Sequence, residues 1–288
     1  MNTLRRSFLI CLSLVLSLSI LANAKTQPRA YGLQLYSLRN EFGKRSVEDI
    51  ISQVSKAGYS FVEPYGYSKK NGFWGLSPKN FKKLLDKYKL TTQGGHYEFG
   101  FLEKGTIDHD VLEDYISVAK TLNQKYIIVP HINKKIFDSE AKVKEFAGKL
   151  KVVSEIFRKA GLKLAYHNHD FEFNNLGGNT GYEILLKELK SSEMEFEIDL
   201  YWAVRANQNI DALFKEYPGR FTMWHIKDIR KSDETKNTEI GNGTIDYKKI
   251  LKEAKLAGLK YAIVEQENFE IDPFESINRS IKYLKSIQ

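Results

Sequence analysis

The stretch LAYHNHDFEF (residues 164–173) places two of the chain's six histidines, His167 and His169, on either side of Asn168, with Asp170 and Glu172 just behind. Imidazoles and carboxylates this close together suit acid–base work or metal ligation. In an extended strand alternate residues share a face, so His167 and His169 look one way and Asn168 the other. A polar loop closing a buried strand would produce the same letters, and the surrounding elements have to decide between the two.

Those elements alternate. Apolar runs predict strands at YGLQLYS (31–37), FVEPYG (61–66), TTQGGHYEF (91–99), YIIVPHI (126–132), KLAYHNH (163–169), EFEIDLYW (195–202), FTMWHIKDI (221–229) and YAIVEQEN (261–268). Amphipathic helical patterns lie between them, such as SVEDIISQVSKAG (46–58), with Ser46 and Asp49 as a capped start and Gly58 as a stop. KAGY, KAGLK and LAGLK each end a helix on glycine and feed the next strand, which is the trace of a βα repeat. Eight such units without a linker predict an α/β chain folded as a single (β/α)8 TIM barrel over residues 25–288. An open doubly wound sheet would carry a glycine-rich loop after its first strand, where this chain has SLRNEFG.

In such a barrel the working groups sit at the carboxyl ends of the strands. His96, His131, His167, His169 and His225 all fall there, as do Glu63, Glu98, Asp199, Glu265 and Glu267; only His109 lies elsewhere among the histidines. Parity sorts them further. Glu197, Asp199 and Tyr201 share one strand face, His225 shares another with Met223 and Lys227, and Glu265 and Glu267 share a third. Several carboxylates converging on one mouth call for a cation or a hydrogen-bonded substrate. His167, Asp199, His225 and Glu265 are the expected ligands of one divalent metal, Mn, Co, Fe or Zn. A salt-bridged polar plug, with Lys227 and Arg205 balancing the acids, is the competing arrangement.

Residues 1–24 read as a cleavable export signal, with Arg5 and Arg6, then an apolar run, then small residues at Ala22 and Ala24. The expected destination is the periplasm or the exterior, by the general or the twin-arginine route, with no membrane anchor retained after cleavage. The single cysteine, Cys11, leaves with the signal, so no disulfide or thiolate chemistry is expected. The ~264 residues that remain can bury a core of their own. Removing Arg5 and Arg6 lowers the formal charge from +8 to +6. That charge is spread over helix surfaces such as PKNFKKLLDKYK, a solvated shell rather than a nucleic-acid groove.

With GLQLYSLR, GGH, YHNHDFEF, EIDLYW, HIKD, GNGTIDYKKI and IVEQEN in place, the chain resembles the sugar phosphate isomerase/epimerase superfamily, the xylose isomerase-like barrels, over nearly all of its mature length. The resemblance implies one divalent metal held by Glu, Asp, His and Glu on the last four strands, and carries the last three onto Asp199, His225 and Glu265. The fifth-strand Glu is replaced by His167, which leaves metal binding intact but removes one of the family's two opposed acid/base glutamates. It implies enolisation of a keto-sugar, with Glu265 as base, His169, His131 or His96 as an acid titrating near neutrality, and Lys227 on the developing enolate. Tyr36, Tyr65, Trp74 and Trp202 would stack on the sugar, although core packing explains Trp202 equally well, and His96, Glu63 and Asn168 would complete the contacts. Exported relatives of this kind resemble the partners of glycoside 3-dehydrogenases, which implies 3-keto-glycoside cleavage or hydration. A sugar isomerase or epimerase acting on free ketoses is the alternative.

Overall fold

The computed structural model describes residues 29–288, so the expected export signal at residues 1–24 lies outside the described residues. The barrel strands are Tyr31–Gln34 (β1), Phe61–Glu63 (β2), Gly94–His96 (β3), Tyr126–Val129 (β4), Lys163–His167 (β5), Glu195–Asp199 (β6), Met223–Ile226 (β7) and, after a small antiparallel pair formed by Asp228–Ile229 (β8) and Asn237–Thr238 (β9), Tyr261–Val264 (β10). The eight barrel strands pair in parallel in the order β2-β1-β10-β7-β6-β5-β4-β3. The circle is completed between β2 and β3 by Val62 N–H on the Thr91 carbonyl (2.9 Å) and His96 N–H on the Pro64 carbonyl (2.9 Å). The single (β/α)8 barrel is therefore the fold.

Local signals account for the units between strands. Ser46 accepts from the Asp49 N–H at 3.1 Å and opens the helix Val47–Ala57. Gly58, Gly161 and Gly258, the glycines of the three repeated helix ends, all adopt positive φ (97°, 80° and 84°), the left-handed turn that feeds the next strand.

The predicted strands run too long at their carboxyl ends, because side chains there cap the next turn instead of extending the sheet. The Gln34 side chain accepts from the Tyr36 N–H and starts a 3-10 turn at Leu35–Leu38. Asp199 accepts from the Trp202 N–H at 3.0 Å and starts the helix Leu200–Arg205. Tyr201 and Trp202 therefore ride on a helix rather than on a strand. Asp228 takes the N–H groups of Ile229, Gly241, Gly243 and Ile245 at 2.9–3.1 Å, which folds the following loop back over the barrel end.

Inside the barrel the period of two stacks an apolar layer below a polar one. Phe61, Ala165, Met223 and Ile263 belong to the buried floor, together with Tyr126 and Ile128. Two residues further along the same strands stand Glu63, His167, His225 and Glu265. Gly32 faces this floor: a Cβ there would lie 2.2 Å from the Phe61 ring. Gly32→Ala is expected to cost about 1–3 kcal/mol by overpacking. A denaturation midpoint unchanged from the parent would contradict that, and Phe61→Leu in the same chain should recover the loss.

Candidate active site

The strand register brings the polar layer together. Asp199 pairs with His225 across β6 and β7, His167 with Glu197 across β5 and β6, and Ile263, two residues before Glu265, pairs with His225. One ligand atom from each of His167, Asp199, His225 and Glu265 lies within 4.8 Å of those of the other three, and all four residues are buried. His225 spans the layer, with Nδ1 2.9 Å from Glu265 Oε2 and Nε2 2.7 Å from Glu63 Oε1.

Glu63, expected to touch substrate, lies beneath the rings at 2 % exposure. It takes the Gln34 amide at 2.7 Å and the His96 and His225 nitrogens at 3.1 and 2.7 Å. A carboxylate behind an imidazole fixes which ring nitrogen faces forward, and Glu63 does this for His225. Burial works against the Glu63 charge, but His96 and His225 outweigh it and hold its pKa well below the usual range.

Lys227 is the cation of the upper carboxylates, with Nζ 3.2 Å from Asp199 Oδ2, 2.9 Å from Glu265 Oε2 and 2.8 Å from Glu267 Oε1. Burial opposes its charge, and the three acids hold its pKa well above the usual value. Half of the expected polar plug is thus real. Arg205 takes no share in it, because its guanidinium lies over Tyr201 and Trp202.

Two buried polar atoms of this layer, His167 Nδ1 and Glu197 Oε1, remain without a hydrogen-bond partner, and Asp199 Oδ2 has only its ion pair with Lys227. Uncompensated burial of such atoms is costly. Two imidazoles and two carboxylates within mutual reach, with orphaned lone pairs among them, fit the needs of a divalent cation.

Above the layer opens a cavity of about 350 Å³, lined by Tyr36, Tyr65, Gly66, His96, Glu98, Pro130, His131, His167, His169, Lys227, Glu265 and Glu267. Four expected substrate contacts lie outside this lining: Glu63, already described, and Trp74, Trp202 and Asn168. Trp74 stacks on Phe42 (centroids 4.0 Å apart, planes at 11°) and packs edge-on against Phe81. Trp202 stands behind His169, with ring centroids 5.5 Å apart. Asn168 is buried and ties β5 to β6, accepting the Asp199 N–H at 3.0 Å and donating to the Asp199 carbonyl at 3.3 Å. That opposite-facing side chain follows from strand parity, and it makes Asn168 a positioner of Asp199.

Two of the histidines expected to titrate near neutrality are displaced from it. Burial, then Lys227 and His131, lowers His169 to about 3, so its ring is neutral. Burial also opposes charge on His96, but Glu63 and Glu197 overcome it and raise the ring to about 9. Glu197 was visible two residues before Asp199 on the same face, yet parity alone gave it no task. Here it accepts His96 Nε2 at 2.8 Å, and burial followed by Glu63 pushes its pKa up to about 7. Glu98 and Glu267, strand-end carboxylates to which sequence parity assigns no role, also line the cavity.

Behind the site, Glu172 takes the Tyr166 hydroxyl (2.8 Å) and the His169 N–H (3.0 Å), and burial raises it from 4.5 to about 8. It is protonated at neutral pH. Between pH 4.5 and about 8 the folded chain keeps a proton that the unfolded chain has released, so this group makes stability fall with rising pH across that window and adds no slope above it. Glu172→Gln, neutral at every pH, is expected to flatten that limb, and its advantage over the parent should grow to on the order of a few kcal/mol by pH 8. Parallel melting curves for the two proteins from pH 5 to 8 would refute it.

Among the described residues no helix is long and apolar enough to cross a membrane. The profile of the Xylose isomerase-like TIM barrel family matches residues 51–287. The chain is 26% identical to a sugar phosphate isomerase/epimerase from Parabacteroides distasonis, with a TM-score of 0.80 over 92% of this chain and 96% of that one. A structure described as IOLI protein with a binding zinc atom is 14% identical (TM-score 0.69, 90% and 98% covered), a likeness of fold. The same holds for a D-allulose 3-epimerase from Methylomonas sp., 11% identical (TM-score 0.66, 91% and 99% covered). No curated protein sequence matches significantly. Barrel, strand-end layer and profile agree, and the chain belongs to the xylose isomerase-like TIM barrel family.

Proposed function

We propose that the chain is an exported, divalent-metal-dependent enzyme that enolises a keto-sugar, and that its reaction is the cleavage or hydration of 3-keto-glycosides. The observation that carries this reading is the asymmetry of the cavity. Glu265, Glu267 and Lys227 line it from the ends of β10 and β7, and the imidazoles of His131 and His169 from the ends of β4 and β5 across the strand order, with His167 where the family pattern has a second glutamate.

His167, Asp199, His225 and Glu265 would hold the ion, which supplies polarisation of the ketone oxygen and so lowers the cost of removing the neighbouring proton. Both Glu265 contacts, to His225 and to Lys227, fall on Oε2, which leaves Oε1 to take the C2 proton. The Lys227 ammonium stabilises negative charge growing on the C3 oxygen. As the C2–H bond breaks, the C1–C2 double bond forms and the bond from C1 to the aglycone oxygen breaks, with His131 at the opposite wall returning a proton to the leaving oxygen. Hydration is the same sequence run backwards, with water adding across the double bond. A glycoside 3-dehydrogenase is the class of enzyme that would supply the ketone.

The second reading, isomerisation or epimerisation of free ketoses, draws on the similarity to the Parabacteroides protein and on Glu98, a carboxylate from the loop after β3 that lines the same cavity as Glu265. Purified, metal-loaded protein offered both substrate classes separates them. Conversion of 3-keto-glucosides to free aglycone or hydrated product is expected. Intact 3-keto-glucosides beside interconverted free ketoses would replace this reading with the second.

A further inference from the structure

We propose a second cation seat inside the barrel, beside the first, lined by His96 Nε2, His167 Nδ1, His225 Nε2 and Glu197 Oε2, and suited to a tetrahedral zinc-type ion. Zinc bound at about 2.0–2.1 Å to nitrogen and carboxylate oxygen sets its ligand atoms roughly 3.3–3.4 Å apart at the corners of a tetrahedron. Glu197 Oε2 lies 3.2 Å from His167 Nδ1, 3.3 Å from His225 Nε2 and 2.8 Å from His96 Nε2. The three rings crowd together, with centroids 4.5–5.3 Å apart, and one ligand atom from each of the four residues lies within 4.8 Å of the other three. His167 Nδ1 is fully buried and lies beside Glu197 Oε2 without making a hydrogen bond to it.

The two seats share His167 and His225 through opposite nitrogens. His225 turns Nδ1 to Glu265 and Nε2 to Glu63 (2.7 Å) and Glu197 (3.3 Å), so an ion here takes the place of the Glu63 contact, while His167 turns Nε2 to Asp199 (4.0 Å) and Nδ1 to Glu197. A neutral imidazole has one lone pair to give, so the seats exclude each other and the chain binds one ion. This second seat takes four protein ligands and leaves no open position, the arrangement of a holding site rather than a working one. It is available in the substrate-free protein because Lys227 already neutralises the upper carboxylates. The inference shares two residues with the keto-sugar reading and is independent of its substrate.

The test is a Co²⁺ titration of metal-free, substrate-free full chain followed by visible absorption. One equivalent with the intense bands of tetrahedral Co²⁺ is expected, displaced by Zn²⁺. His96→Asn and Glu197→Gln should lose those bands and weaken uptake roughly tenfold or more, whereas Asp199→Asn and Glu265→Gln should retain them. The parent spectrum reads the geometry with no substitution, so a variant that fails to fold does not decide the matter. Weak bands of higher coordination in the parent, uptake abolished by Asp199→Asn and Glu265→Gln but not by His96→Asn, or no uptake at all would each overturn the seat. The first two of these leave the keto-sugar reading standing, and turnover of 3-keto-glucosides tests that separately.

Discussion

Glu265→Gln is expected to lower kcat/KM on a 3-keto-glucoside by on the order of 10²–10⁴ while leaving the fold close to its parental stability. The substitution keeps the shape of the side chain and removes its basicity, so the proposed acceptor of the C2 proton is lost. The rest of the layer stays partnered: Lys227 retains Asp199 and Glu267, and His225 retains Glu63. Activity and stability therefore separate in this variant. Steady-state kinetics beside a thermal melt check it, and a variant with near-parental turnover would remove Glu265 from the reaction.

Lys227→Met should show the opposite balance, with both properties damaged. Its ammonium holds Asp199, Glu265 and Glu267 together at 2.8–3.2 Å in a fully buried position. Removing one partner of a buried ion cluster leaves the others uncompensated, a loss of about 3–5 kcal/mol. Loss of the group on the developing enolate adds roughly a 10²–10³-fold drop in kcat. A divalent cation can replace the missing charge but not the positioned donor. Added Mn²⁺ or Zn²⁺ should thus raise the melting temperature of Lys227→Met by more than it raises the parent's and leave kcat low. If the variant melts like the parent without metal, the ammonium is not what holds the carboxylates.

These two residues show how far the linear chain reaches. Strand order, eight βα units and their glycine-ended helices were legible, because hydrophobic period, caps and turn residues are local properties. So was the gathering of His167, Asp199, His225 and Glu265 at one end of the barrel, since parity and strand-end position follow from a period of two. Where each strand stops was not legible, because Gln34, Asp199 and Asp228 spend their side chains on capping backbone N–H groups, and an apolar run does not record that choice.

The state of each site group was decided only by tertiary structure. His169 and His96 are the same residue type at similar strand ends. One is neutral because it is buried beside Lys227, and the other is charged because Glu63 and Glu197 face it from strands 33 and 101 residues away. Trp74 and Trp202 likewise carry the letters of sugar-stacking residues, yet packing against Phe42 and His169 places both outside the cavity lining. The amino-acid sequence by itself determined which side chains can reach the barrel mouth; closure of the sheet and the register between distant strands decided which of them meet, because electrostatic and packing partners are set by distance in space and not by distance along the chain.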